Sequence, residues 1–359
     1  MRHAAVFVMA LVWSSAFAAD IPAASPGLLR QLRFSPDGRY VLARDDSEIA
    51  ILTVQPFTVL FRIPAANATD AEFTTDSRQV IFVSSVSRVN SRGIQYVKSA
   101  ARLEHWGIAG RTRVNYRDLP AMACGSDALS PDGRYLACND FAGTLSLVDV
   151  DRATTIFEKR EFVKLIPVYK VLSGGVIVKS RRFLGDLGSA SLDFSPDGRF
   201  LLAIQYQGAG KEVVCDFRAK GTVKLTRAAR PPALGWHLFL SPHRLLISEY
   251  DTKHAAVTAR IVEFPSGKVL SRPSLPPGGL FRTTDPNFVL IRPVRRRGEF
   301  DPQGRRATAL DLSTGDVIIS QSPLFDVLGD FYVAEPFPGE VWLYKRGKGL
   351  QAKVALYKQ

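Results

Sequence analysis

The sequence is poor in the residues that build metal and redox sites. Its 359 residues include three cysteines and five histidines. The cysteines form no C-x-x-C pair, and the histidines show neither H-x-x-x-H nor H-E-x-x-H spacing, so the usual zinc and dithiol motifs are excluded. The sequence therefore predicts no metal site.

Signatures of other enzymes are also missing. No G-x-S-x-G nucleophile elbow occurs, and GSASL at 188–192 lacks the last glycine. GAGK at 208–211 has neither the spacing nor the following hydroxyl residue of a phosphate-binding loop. We therefore predict no cofactor and name no catalytic residue, although an active site built from distant side chains would leave no local motif.

Long apolar runs are confined to the beginning of the chain. Arg2 and His3 precede an apolar run over 4–13, and small residues in an A-x-A arrangement follow at 16–19. This layout is typical of a secretory signal peptide, whereas a membrane-spanning helix needs about 20 apolar residues. We predict a signal peptide over 1–19, a mature chain over 20–359 without a transmembrane span, and a periplasmic or secreted location.

The cysteines gain importance if the chain is exported, because disulfides form in oxidising compartments. Cys124 and Cys138 flank one predicted hairpin and could form a short-loop bridge, which leaves Cys215 in a strand. The sequence leaves open whether Cys124 and Cys138 are bridged.

Internal repeats are the most informative feature of the sequence. Three segments are nearly identical: FSPDGRY at 34–40, LSPDGRY at 129–135 and FSPDGRF at 194–200. Proline suits the first central position of a type I turn, aspartate suits the second, and glycine suits the left-handed position that follows. Apolar residues flank each segment, so each copy predicts a β-hairpin.

Degenerate copies extend the pattern along the chain. They start near residues 74, 241, 283 and 327, which gives seven copies at a mean spacing of about 49 residues, near the period of propeller blades. A second hairpin follows each copy, over 49–63, 102–119, 144–158, 213–225, 259–271, 307–320 and 341–357. Two hairpins per unit predict an all-β fold, a single domain that is a seven-bladed β-propeller of four-stranded antiparallel blades.

The third and fourth units lie farther apart than the others, because an insertion occupies 162–188. Apolar segments at 168–172 and 176–179 on either side of SGG at 173–175 predict an extra hairpin there. This hairpin could be a fragment of an eighth blade or the outer strands of a shifted register.

The repeats resemble those of a known family. The Ser-Pro-Asp-Gly-Arg hairpin, followed by segments such as LSLVDV at 145–150, is similar to the WD40-like repeats of bacterial propellers, including the YVTN type and the periplasmic TolB type. The resemblance covers essentially the whole mature chain and implies the fold but no particular function. The chain lacks the Gly-His pair and the Trp-Asp ending of eukaryotic WD40 repeats, so the hydrogen-bonded network of those repeats is not carried over.

Two places are candidate ligand contacts. Six arginines fall within 292–306, a loop predicted between the second and third strands of the sixth unit, and Arg295, Arg296 and Arg297 form its centre. Arginine clusters bind carboxylate, phosphate or sulfate, and a solubilising loop is the alternative. Trp236 and His237 precede the predicted inner strand of the fifth unit, near the channel mouth, where packing between blades is the alternative.

Repeats without catalytic motifs favour a non-enzymatic module that binds a protein or an envelope component. The net charge of +13 at pH 7 favours an anionic envelope component, and export makes nucleic acid an unexpected partner. The alternative is a propeller enzyme of lyase, lactonase or hydrolase type, with a non-local site in the central channel. We expect the protein to be a monomer.

Overall fold

The computed structural model describes residues 29–65, 68–85, 101–119, 124–140, 144–160, 167–171, 177–181, 190–205, 211–216, 221–223, 235–251, 256–276, 278–292, 307–320, 322 and 325–357. The predicted signal peptide over 1–19 lies outside these residues. Strands and turns make up the described segments, in which no helix is long and apolar enough to cross a membrane.

Seven four-stranded sheets and one two-stranded hairpin account for the described strands. Each four-stranded sheet is an antiparallel meander, in which strands that follow one another in the chain also lie side by side. Sheet 1 contains β1 (Gln31–Phe34), β2 (Tyr40–Arg44), β3 (Glu48–Thr53) and β4 (Thr58–Pro64). Sheet 2 contains β5 (Ala68–Phe73), β6 (Gln79–Ser85), β7 (Ala101–Gly107) and β8 (Thr112–Asp118). Sheet 3 contains β9 (Cys124–Leu129), β10 (Tyr135–Asp140), β11 (Leu145–Asp149) and β12 (Thr154–Lys159).

The second half of the chain repeats this arrangement after the two-stranded hairpin of β13 (Pro167–Val171) and β14 (Ile177–Arg181). Sheet 4 contains β15 (Ala190–Phe194), β16 (Phe200–Gln205), β17 (Lys211–Asp216) and β18 (Gly221–Val223). Sheet 5 contains β19 (Gly235–Ser241), β20 (Arg244–Asp251), β21 (Ala256–Glu263) and β22 (Val269–Ser271). Sheet 6 contains β23 (Gly279–Arg282), β24 (Phe288–Arg292), β25 (Ala307–Asp311) and β26 (Val317–Ser320). Sheet 7 contains β27 (Phe325–Leu328), β28 (Phe331–Phe337), β29 (Glu340–Lys345) and β30 (Gly349–Ala355).

The first turns of the sheets have the geometry that the repeated sequence predicts. In sheet 1, the backbone N–H of Gly38 donates to the carbonyl of Ser35 at 2.9 Å, and Gly38 has a φ of 73°. The glycines of the other two full copies, Gly133 and Gly198, have φ values of 70° and 64°. Their N–H groups donate to the corresponding serine carbonyls at 2.8 Å and 2.7 Å. The predicted turn with a left-handed glycine is therefore confirmed.

Apolar side chains hold neighbouring sheets together. Successive residues of a strand point to opposite faces, so Val41 and Ala43 pack toward sheet 7 while Leu42 packs toward sheet 2. Buried clusters of this kind lie between sheets 1 and 2, 2 and 3, 3 and 4, 4 and 5, 5 and 6, 6 and 7, and 7 and 1. The four-stranded sheets therefore follow one another around a central axis, each packed face to face on the next.

Sheet 7 is joined to sheet 1 by polar contacts as well as by an apolar cluster. The backbone N–H of Leu29 donates to Glu335 Oε1 at 3.0 Å, and the hydroxyl of Tyr357 donates to Asp45. All four strands of sheet 1 come from the beginning of the chain and all four strands of sheet 7 come from its end. Side-chain contacts, rather than an exchanged strand, therefore join the two sheets.

The insertion before sheet 4 contains the extra hairpin that the sequence predicts within 162–188. Strands β13 and β14 pair antiparallel from Pro167 opposite Arg181 to Val171 opposite Ile177. In the described residues this unit has two strands rather than the four of a blade.

Cys138 on β10, the one cysteine whose side chain the structure describes, is disulfide-bonded. The side chain of its partner is not among those that the structure describes. The backbone of Cys124 pairs with Asp140 on the neighbouring strand, two residues along from Cys138. This register keeps Cys124, the other cysteine of the same hairpin, as the candidate partner of Cys138.

Candidate functional site

A cavity opens at one end of the ring axis, where the first turns of the sheets converge; we call it the mouth. Its volume is about 400 Å³, a size typical of small-ligand pockets. Residues from all seven four-stranded sheets line it, from Phe34 of sheet 1 to Leu328 of sheet 7. Five turns each contribute a proline to its wall: Pro36, Pro131, Pro196, Pro242 and Pro286.

The hydrogen bonds of the turn explain why proline is available to line the mouth. The buried hydroxyl of Ser35 donates to Asp37 at 2.7 Å and accepts the N–H of Tyr40 at 3.0 Å. Asp37 also accepts the N–H of Arg39 at 3.1 Å. The turns at 130–135 and 195–200 have the same bonds. Serine and aspartate are thus occupied inside the turn, whereas proline, which has no N–H to satisfy, is left to form the wall.

The charged side chains at the mouth are paired across sheets. Arg33 on β1 lies 2.9 Å from Glu72 on β5. Arg282 on β23 lies 3.6 Å from Asp193 on β15, and its guanidinium donates to the carbonyl of Phe194 at 3.1 Å. Because these partners are far apart in the chain, the pairs connect inner strands that local hydrogen bonds do not connect.

A buried carboxylate, Asp326 on β27, ties three sheets together beside the mouth. It accepts the backbone N–H of Phe34 from sheet 1 at 2.8 Å and that of Thr284 from sheet 6 at 2.7 Å. Burial raises the pKa of Asp326, while the hydrogen bonds from Thr284 and Phe34 and the charge of Arg33 act in the opposite direction. Its two oxygens satisfy backbone donors of other sheets, which is a structural use of a carboxylate.

Two of the sequence-predicted contacts, Trp236 and His237, lie near the beginning of β19 rather than before it. The described wall of the mouth contains Leu240, Ser241 and Pro242 from the other end of this strand and its turn. Burial of the imidazole and the positive charge of Arg260 lower the pKa of His237 to about 4, so the ring is neutral at pH 7. For Trp236 the structure describes the backbone but not the side chain.

The other predicted contacts, Arg295, Arg296 and Arg297, lie outside the described residues, between the end of β24 and the beginning of β25. Their role as ligand contacts stays a prediction. Within the described part of the chain, no group of three or more His, Cys, Asp or Glu side chains could hold a metal ion.

Sequence reasoning missed the residues that build the mouth. It assigned proline, aspartate and glycine to the turn, but not the serine hydroxyl that bridges it. The repeated serine before each proline was a visible signal for that role. Arg33 and Glu72 carried no such signal, because only the ring places them together.

Comparisons with known proteins show the architecture. No protein-family model and no curated protein matches the sequence. The structure is similar to the β-propeller domain of Myceliophteria thermophila Cps50 (Swd1), with a TM-score of 0.52 and 13% identity over 90% of this chain and 95% of that chain. The fold is a β-propeller. Hydrazine synthase of Kuenenia stuttgartiensis is also similar, with a TM-score of 0.56 and 14% identity over 93% of this propeller and 100% of that chain. At these identities the likeness shows the fold alone.

Proposed function

We propose that the chain is an exported, non-enzymatic binding module that docks a partner protein on the mouth face of its propeller. The observation that carries this proposal is the wall of the mouth. All seven four-stranded sheets contribute residues to this wall, and five of those residues are prolines. Proline and buried turn residues lose little freedom on binding, so such a wall is preorganised for docking.

The ionisable groups of the mouth favour docking over catalysis. Arg33 is engaged by Glu72, and Arg282 is engaged by Asp193 and by the carbonyl of Phe194. A general acid or base has to exchange a proton with a substrate at hydrogen-bond distance. Side chains that are already paired with each other serve better as fixed parts of a docking surface.

The same binding module has a proposed domain extent and number of blades. We place the mature chain in one domain over 20–359 and number its blades at seven, one for each four-stranded sheet, as in bacterial YVTN-type and TolB-type propellers. The apolar clusters between successive sheets support one closed ring. The signal-peptide layout over 1–19 supports export to the periplasm or the medium, and the protein acts there as a monomer.

The proposal is tested by capture from an envelope extract with the chain that lacks residues 1–19. Thr75→Trp combined with Pro242→Trp fills the mouth from two sides without adding charge, because both positions line it. We expect the partner captured by the wild type to be lost in this variant. Thr154→Trp combined with Val269→Trp, on the exposed outer strands β12 and β22, is the matched control and should retain the partner.

A third variant separates the mouth from the arginine-rich loop. Arg295→Ala, Arg296→Ala and Arg297→Ala together remove three positive charges. Capture that is lost in this variant but retained in the mouth variant would contradict docking at the mouth. That result would indicate an anionic envelope component bound by the loop, and its binding would weaken steeply with added salt.

A further inference from the structure

The last residue of β24, Arg292, extends into the space between sheets 6 and 7. Alternate residues of this strand, Phe288 and Leu290, pack toward sheet 7, and Arg292 lies on the same face. Its guanidinium carbon is 4.3 Å from the centroid of the Phe281 ring. One face of the guanidinium is thus stacked against an aromatic ring, while its planar edge carries the hydrogen-bond donors.

The guanidinium of Arg292 has no acceptor within the described structure. Its Nε is buried without a hydrogen-bond partner, and no described carboxylate lies within ion-pairing distance of it. By contrast, Arg282 reaches Asp193 and Arg346 reaches Asp311. Arg292 as a whole is partly exposed, so an anion can reach the guanidinium from solvent, whereas its buried Nε–H lacks an acceptor among the described residues, which is costly. An acceptor from outside the described chain would remove this cost.

The backbone that carries Arg292 is held in place. Arg292 pairs with Gly279 across the ladder between β23 and β24. A Cβ at Gly278, just before β23, would lie 2.5 Å from the carbonyl oxygen of Arg292 and 2.6 Å from Cγ2 of Ile291, so the chain entering β23 packs against the end of β24 as closely as glycine allows. A fixed backbone and a stacked side chain together preorganise the guanidinium for a ligand.

We propose that Arg292 is the anchor of an oxyanion-binding site, which takes a ligand with a carboxylate or phosphate group. The planar fork of arginine matches both groups with two parallel hydrogen bonds. The site lies at the end of β24 away from the mouth, about 13 Å along the strand from Phe288 at about 3.3 Å per residue. It is therefore independent of partner docking at the mouth. The net charge of +13 draws anions toward the protein as a whole.

The test measures the thermal stability of the chain lacking residues 1–19 during titrations with inorganic phosphate, and separately with acetate, at constant ionic strength. A ligand that binds the folded state raises the melting temperature in a saturable way. We expect a saturable rise for the wild type and an apparent affinity about tenfold or more weaker for Arg292→Met. Arg292→Lys, which keeps the charge but loses the fork, should give an intermediate affinity. The anion that gives the tighter binding identifies the natural group as phosphate or carboxylate.

Arg199→Met is the matched control, because the Arg199 guanidinium also stacks on a phenylalanine, 4.8 Å from the Phe200 centroid, but is exposed. This variant removes the same charge and should keep the wild-type response. Equal responses in the wild type, Arg292→Met and Arg199→Met would overturn the proposal, because they would show non-specific anion stabilisation. A wild type without a saturable response would overturn it too. So would an Arg292→Met variant strongly destabilised in chloride alone, since the guanidinium would then have a partner within the chain.

Discussion

At the scale of single residues, two glycines in equivalent turns differ in what surrounds them. Gly133 and Gly198 both have a positive φ, of 70° and 64°. A Cβ at Gly133 would collide with Cδ1 of Ile81, whose side chain is 1% exposed in the cluster between sheets 2 and 3. A Cβ at Gly198 would meet its nearest neighbour, Asp132 Oδ1, at 3.5 Å. The third turn therefore packs tightly against sheet 2, whereas the fourth turn has space for a Cβ atom at its glycine.

We expect Gly198→Ala to lower the free energy of unfolding by about 1–2 kcal/mol, the cost of a left-handed L-residue. Gly133→Ala adds overpacking to the same strain, and we expect a total loss of about 2–5 kcal/mol. Urea unfolding of both variants measures the difference. Equal losses would contradict the close contact between the third turn and Ile81.

At the scale of elements, the turn signals were sufficient to predict the strands and their order. Each Ser-Pro-Asp-Gly copy fixes a hairpin through local hydrogen bonds, so the second hairpins, such as β3 and β4 over 49–63, were found within a few residues. The beginning of β19 was missed, because the ladder with β20 extends to Gly235 opposite Glu249, beyond the point where sequence alternation shows it. The mouth could not be predicted, since the pairing of Arg282 with Asp193 depends on how whole sheets are placed around the axis.

The outer strand of sheet 6, β26, presents an apolar edge to solvent. Val317 and Ile319 are 53% and 65% exposed, and the strand itself has no charged residue. By contrast, β8 carries Arg113 and Arg117 on the edge of sheet 2. Charged residues on edge strands oppose pairing with other chains, so β26 is the less protected of these two edges.

We expect Ile319→Lys to slow aggregation on heating while changing the free energy of unfolding by no more than about 0.5 kcal/mol, as for other exposed positions. Light scattering during a temperature ramp measures the aggregation. Ser274→Lys, in the exposed loop after β22, adds the same charge away from the edge and serves as the control. If both variants aggregate at the rate of the wild type, the β26 edge is not where the chains associate.

At the scale of the whole molecule, Asp45 at the junction of sheets 1 and 7 contributes stability that is lost in acid, whereas Asp326 and Glu335, whose pKa values burial raises, act in the opposite direction. Burial alone would raise the pKa of Asp45, but hydrogen bonds from Tyr357 and from Ser47 and Glu48 outweigh burial, so the pKa lies below its ordinary value. The unfolded chain then binds a proton at a higher pH than the folded chain does. The stabilisation from Asp45 is therefore complete above the unfolded pKa of about 4 and is lost as the pH falls below it.

We expect Asp45→Asn to lower the free energy of unfolding at pH 6 and to reduce its fall between pH 5 and pH 3. The difference between wild type and variant isolates Asp45 from other carboxylates with lowered pKa values, such as Asp37 and Asp311. Urea unfolding at a series of pH values provides the measurement. Parallel pH profiles for the two proteins would show that Asp45 does not contribute to closure in this way.

Docking at the mouth is tested most directly by amide hydrogen exchange of the protein alone and with its captured partner. The mouth consists of segments from separate sheets, so a partner bound there should slow exchange at 33–35, 72–75, 240–241 and 282–285 together. Exchange at the outer strands β8, β12 and β26 should stay unchanged. Slowed exchange at those outer strands, with the mouth segments unaffected, would contradict docking at the mouth and place the binding surface on the rim of the propeller.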